Sequence, residues 1–133
     1  MSIEVDIDTE HKIVSIRIIG HDIAMQEVAD AYGSAIEDPR FEYNMDAFWD
    51  ISGVNVTTYS IAEFRKLPAL LGKYSSQRGS DYRVALVTNR RADLQLLRLY
   101  SAILRLIGSF RMRVFAQGDE GMAWLRATAK EEK

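Results

Sequence analysis

Phe48-Trp49-Asp50-Ile51-Ser52-Gly53-Val54 decides the fold of this chain. It reads as an apolar strand that ends in an acid and a turn, and after a short loop a helix opens at Ser60. A strand that runs through a loop into a helix N-terminus is the repeating unit of α/β proteins, and sites are usually built at such junctions. On the amino side, Ile3, Val5 and Ile7 alternate with Glu4, Asp6 and Asp8, the period-two signature of a half-buried strand. Thr9-Glu10-His11-Lys12 makes a turn and Ile13 to Ile19 returns as a second strand. So short a connection implies an antiparallel hairpin. Asp22 is placed to cap a helix with the face Met25, Val28, Ala29, Tyr32 and Ile36, and Asp38-Pro39 stops it.

The third strand covers Met45 to Ile51. Helical pattern runs from Ser60 to Lys66, meets Pro68 and restarts through Leu71 and Tyr74. Proline removes an amide and clashes with the preceding turn, so a kink or split is expected there. Ser75 to Asp81 reads as a polar link, Tyr82 to Thr88 as a buried strand, and Ala92 to Ile107 as a long helix. Met112 to Ala116 is the last strand, and Gly118-Asp119 leads into a final helix with Met122, Trp124 and Leu125. The order β-β-α-β-α-β-α-β-α predicts an α/β domain with a mostly parallel five-stranded sheet, one N-terminal antiparallel strand and about four helices. It occupies residues 1–129 as a single domain, with a charged tail over 130–133.

With 133 residues, 47% of them apolar, the chain needs neither metal nor disulfide to bury a core. The absence of cysteine excludes disulfides, thiolate zinc sites and cysteine nucleophiles. A net charge of −2 argues against nucleic-acid binding. The amino terminus lacks the apolar run of a signal peptide, and Arg98 and Arg105 interrupt the most apolar stretch. A cytoplasmic protein with no membrane span is expected.

Right-handed crossovers bring one set of groups to the carboxyl ends of the parallel strands: His21, Asp50 with Ser52, Thr88 with Asn89, and Gln117. Asp50 either faces a partner there or accepts the amides of its own turn, as acids before Ser-Gly often do. Ser60-Ile61-Ala62-Glu63 is a capping box, with Tyr59 and Phe64 placed as its hydrophobic staple. That competes with a phosphoacceptor role for Ser60. No His, Asp or Glu spacing has the form of a metal site, no glycine-rich phosphate cradle is present, and no cofactor is expected. A His21–Asp50–Ser52 hydrolase is the remaining catalytic reading, without a nucleophile-elbow motif to support it.

Asn89-Arg90-Arg91 breaks a local rule, because two arginines occupy a helix's first turn, where the dipole disfavours cations. They hold either a carboxylate or phosphate head group, or nothing but water. Further along, apolar residues cover about half of the helix circumference, more than one sheet face requires. The excess, Leu97, Tyr100 and Leu104, is covered either by the neighbouring helix or by another subunit, which makes it the candidate face of a homodimer.

The order of elements, with Asp50-Ile51-Ser52-Gly53-Val54 and the closing Gly121-Met122-Ala123-Trp124-Leu125, resembles the STAS-domain superfamily. The closer likeness is to its SpoIIAA-like branch, over nearly the whole chain. Antagonist members of that superfamily carry an Asp-Ser-Ser-Gly-like run whose serine is phosphorylated to switch partner binding. Here Thr57-Thr58-Tyr59-Ser60-Ile61 stands in its place, so the aspartate, acceptor serine and glycine are all replaced while Thr58 and Ser60 keep hydroxyls. The resemblance implies a small non-enzymatic module that binds a protein partner around His21, Asp50, Ser52, Thr58, Ser60, Thr88, Asn89 and Arg90. Lipid-carrying relatives imply the alternative, a binder of an apolar or anionic amphiphile with Arg90 or Arg91 at its head group.

Overall fold

A computed structural model describes residues 2–19, 24–53, 66–79, 81–89, 91, 94, 95, 97, 98 and 111–127. Five strands form one sheet: β1 (Ser2–Asp8), β2 (Ile13–Ile19), β3 (Asp46–Gly53), β4 (Arg83–Val87) and β5 (Arg111–Phe115). β1 pairs antiparallel with β2, and β2 through β5 run parallel. The described helices are α1 (Met25–Glu37), α2 (Lys66–Gly72), the single turn α3 (Ser75–Arg78) and α4 (Gly118–Arg126). Between β4 and β5, Arg91, Leu94, Gln95, Leu97 and Arg98 are helical; the rest of the expected long helix lies outside the described residues.

The β1–β2 hairpin forms where alternation predicts it. Asp8 closes the turn, its Oδ1 accepting the amides of Glu10 at 3.0 Å and His11 at 3.1 Å. Lys12 takes the left-handed conformation, with φ 59°. Helix α1 starts at Met25, and its capping contact is the Glu27 carboxylate accepting the Ala24 amide at 3.4 Å. The expected cap at Asp22 lies outside the described residues. Asp38 and Pro39 end the helix as expected, because the residue before a proline is pushed to extended backbone.

Strand order is β1-β2-β3-β4-β5, with no reversal. Right-handed crossovers that always step the same way put every connection on one face. Accordingly α1 packs with α2 and against β1, while α4, which follows the last strand, packs on the opposite face against β3, β4 and β5. Strand alternation divides the apolar residues to match. Val14, Ile16, Ala47, Trp49, Ile51, Val84 and Leu86 join Val28, Tyr32 and Ile36 of α1. Phe48, Ala85 and Phe115 meet Met122, Trp124 and Leu125 of α4.

Gly33 lies buried in the middle of α1, where glycine costs about 1 kcal/mol relative to alanine. Its gain is proximity: a Cβ there would stand 2.1 Å from the Tyr74 hydroxyl oxygen. The bare backbone lets the Tyr74 ring lie on the helix, edge-on to Tyr32 with centroids 5.8 Å apart.

Two expectations are corrected. Ser75 to Asp81 is not a solvated polar link, since it contains α3 and the deeply buried Arg78. Leu97 is 4% exposed and packs into the core of its own chain, so it offers no dimer face. Tyr100 and Leu104 lie outside the described residues, as does the expected helical stretch over residues 60–65. Pro68 is the third residue of α2 as described, so the turn that this proline is expected to kink or split lies outside the described residues, and α2 ends at Gly72.

Candidate functional site

Two places gather polar chemistry, at opposite ends of the parallel strands. At the carboxyl end of β3, the Asp50 carboxylate turns back on its own chain. Its Oδ1 accepts the Ser52 amide at 3.0 Å and the Ser52 hydroxyl at 2.6 Å. The Arg17 Nε lies 3.8 Å from Oδ2, a surface contact worth little. This is the turn-forming geometry that an acid two residues before serine favours. Asp50 and Ser52 are therefore brought together, with the serine hydroxyl donating its proton to the acid.

Thr88 does not join them. Asp50 is in register with Val87, so Thr88, one residue on, projects from the opposite face of the sheet. It is fully buried, its amide donates to the Phe115 carbonyl at 3.0 Å, and its Oγ1 has no hydrogen-bond partner among the described residues. Asn89, Arg91 and Gln117 are exposed. His21, Thr58, Ser60 and Arg90 lie outside the described residues, which leaves the hydrolase constellation represented only by Asp50 and Ser52. The strand order also bears on this rim: crevices in open α/β sheets form where the order reverses, and here it does not.

The second place is at the amino ends of β3 and β4, around Arg78. Only 2% of this residue is exposed. Its guanidinium carbon lies 3.6 Å from the centroid of the Tyr82 ring and 5.5 Å from that of Phe41. Nε, Nη1 and Nη2 are all buried and find no acceptor among the described residues. Tyr32 adjoins this group and stacks on Trp49 with centroids 6.0 Å apart.

A two-residue backbone clamp fixes the arginine. The Asn44 amide donates to the Arg78 carbonyl at 3.0 Å, and Asn44 Oδ1 accepts the Asp81 amide at 3.1 Å. Both Asn44 (φ 67°) and Gly79 (φ 90°) adopt left-handed backbone. The Arg78 amide donates to the Tyr74 carbonyl at 2.8 Å.

Magnitudes show why this arginine is unusual. Burying an ion costs several kcal/mol even after relaxation. Stacking on aromatic faces returns about 2 kcal/mol when the cation is desolvated. A lysine could escape by shedding its proton, but a guanidinium cannot. The rings alone do not balance the charge.

Burial pushes the Tyr32 phenol up to about 12, while the Arg78 charge beside it pulls the other way. The guanidinium is near enough to pull on the Tyr32 phenol, though none of its nitrogens makes a well-formed hydrogen bond among the described residues. Burial raises Tyr82 too, again opposed by Arg78. Between pH 10 and 12 the folded chain therefore holds protons that the unfolded chain has released, so stability falls as pH rises through that window. Tyr32 alone contributes a loss on the order of 2–3 kcal/mol. Urea unfolding at pH 9 and pH 11.5 should show it, and Tyr32→Phe should remove most of the Tyr32 share.

Sequence reasoning missed Arg78, and placed the anion-binding arginines instead at Arg90 and Arg91. The available signal was Tyr74 and Tyr82 flanking it four residues to each side, with a glycine directly after. Elsewhere, Asp8, Glu10 and His11 gather in the hairpin turn, and His11 Nδ1 lies 2.8 Å from Asp8 Oδ2; the turn itself accounts for that cluster. Comparison with family models, with curated proteins and with solved structures returns no match for this chain.

Proposed function

We propose that this chain is a non-enzymatic, STAS-like binding domain that engages a protein partner through the carboxyl-end rim of its parallel strands. The observation that carries the reading is the unreversed strand order: the described strands have no switch point of the kind that forms substrate crevices in open α/β sheets. Asp50 supports it. A carboxylate that already accepts both the amide and the hydroxyl of Ser52 is a turn-former. We take the rim carrying Asp50, Ser52 and Asn89 as a surface for a macromolecule rather than a small substrate, with Thr58, Ser60 and Arg90, which lie outside the described residues, as further candidates.

The test compares immobilised wild type and Asn89→Arg as baits in a lysate of the protein's own cells. The expected result is a partner retained by wild type and depleted about tenfold or more by the introduced charge and bulk. A captured set indifferent to Asn89→Arg would remove the rim as the interface. Hydrolysis of ester or phosphoester substrates that Asp50→Asn abolishes would show catalysis instead.

A further inference from the structure

We propose that Arg78 recognises a monoanionic carboxylate carried on an apolar or aromatic body, at a site by the amino ends of β3 and β4. This does not depend on the rim: the two places are at opposite ends of the strands and share no residue.

The argument begins with a permanent charge in a closed setting. The guanidinium is buried, and none of its three nitrogens has an acceptor among the described residues. No carboxylate of those residues pairs with it either. Its nearest neighbours are rings. Tyr82 covers a face of the guanidinium at 3.6 Å, and Phe41 lies at 5.5 Å. Rings engage the face of the group, whereas its N–H donors point outward in the plane. The in-plane fork is what remains, and a carboxylate meets such a fork with two parallel hydrogen bonds.

Charge counting selects the monoanion. Among the described residues of this aromatic cluster, Arg78 is the one buried cation. Lys73 lies 5.3 Å from the Tyr74 centroid, but it is exposed to water. A carboxylate would neutralise the buried charge, whereas a phosphate dianion would leave an excess negative charge in the same low-dielectric setting. Tyr32 adds a phenol that stays protonated at neutral pH and can donate to the second oxygen. Tyr32, Phe41, Trp49, Tyr74 and Tyr82 supply the apolar lining that ligand sites place around a few polar groups.

The clamp fits this role. Asn44 holds the Arg78 carbonyl and the Asp81 amide, fixing the residue that carries the charge. Left-handed backbone at a non-glycine residue persists where the surroundings impose it, and it clusters at ligand-holding positions.

Calorimetric titration and thermal melting of the full chain test the proposal, with phenylbutyrate and decanoate as probes. Decyl phosphate, inorganic phosphate and the alcohols of the same two bodies serve as comparators. At least one carboxylate should raise the melting temperature and bind about tenfold or more tighter than its alcohol. The preferred body then separates an aromatic metabolite from a fatty acid as the source of the carboxylate. Arg78→Met should abolish binding, yet melt at or above the ligand-free wild type, because it removes an unpaired buried charge. Tyr32→Phe, which keeps the ring, should fold normally and bind several-fold more weakly.

Four results would overturn the proposal: no response to either carboxylate at millimolar concentration, tighter binding of decyl phosphate, equal binding by Arg78→Met, or unaltered binding by Tyr32→Phe. If Arg78→Met fails to fold, the Tyr32→Phe titration decides alone.

Discussion

Arg83→Leu is expected to destabilise the fold by about 3–5 kcal/mol, the range for removing one member of a buried ion pair. Arg83 is a β4 residue only 8% exposed, and its guanidinium joins the sheet to α4. Nη1 donates to the carbonyls of Trp124 and Ala127, each at 3.0 Å. Nη2 donates to the Leu125 carbonyl at 2.7 Å and to Asp46 Oδ2 at 2.9 Å. Asp46 Oδ1 in turn accepts the Arg83 amide at 2.8 Å. The last carbonyls of any helix lack partners within it, and a cation there also meets the negative end of the dipole. One side chain thus caps α4, neutralises Asp46 and fixes the register of β3 against β4.

Leucine would leave the Asp46 charge without its partner and three helix-end carbonyls without a donor. For a domain whose total stability is about 5–15 kcal/mol, that is a large fraction, and the melting temperature should fall on the order of 10 °C or more. Urea unfolding should show a lower midpoint with an unchanged slope. Arg83→Lys keeps the charge but loses the planar fork, and should lie between the two. A loss under about 1 kcal/mol for Arg83→Leu would mean that desolvation already cancels the pair.

That arginine also marks the boundary of what the sequence makes legible. Local periodicity sufficed for the hairpin and for α1. It sufficed for the turn at Asp50 as well, because the acid and its partner are two residues apart. Strand order was not legible. It depends on how each crossover packs, and α/β orders with and without a reversal share one element string. Thr88 could have been placed on the face opposite Asp50, since alternation with Val87 gives it once the register is known. The flanking Tyr74 and Tyr82 give Arg78 a local signal but do not show what buries it. Its burial needs Phe41 and Asn44 from before β3 meeting Tyr82 from before β4, so a run that looks polar locally becomes interior. The same long-range closure hides the pairing of Arg83 with the end of α4, whose carbonyls lie more than forty residues away in sequence.

Gly79→Ala should be the second most damaging single change, at about 2–4 kcal/mol, and its cost should depend on Asn44. At φ 90° a side chain is disfavoured by roughly 1–2 kcal/mol whatever the space around it. Space is lacking too: a Cβ on Gly79 would stand 1.9 Å from Asn44 Oδ1, 2.8 Å from its Cγ and 3.1 Å from its backbone nitrogen. Relief requires Asn44 to move, which costs about 1 kcal/mol for each of its bonds to Arg78 and Asp81. Asn44→Gly keeps the left-handed backbone open while removing the obstructing side chain. The double variant Asn44→Gly/Gly79→Ala should therefore lose less than the two single losses combined, by about 1 kcal/mol or more. The backbone penalty at residue 79 persists in both backgrounds and cancels in that comparison, so the residual is the clash itself. Strict additivity in urea unfolding would mean that Asn44 and Gly79 do not act as one clamp. Carboxylate titration of the same variants separates stability from recognition: Gly79→Ala displaces the turn that directs Arg78 inward and should weaken binding, even where enough folded protein remains to titrate.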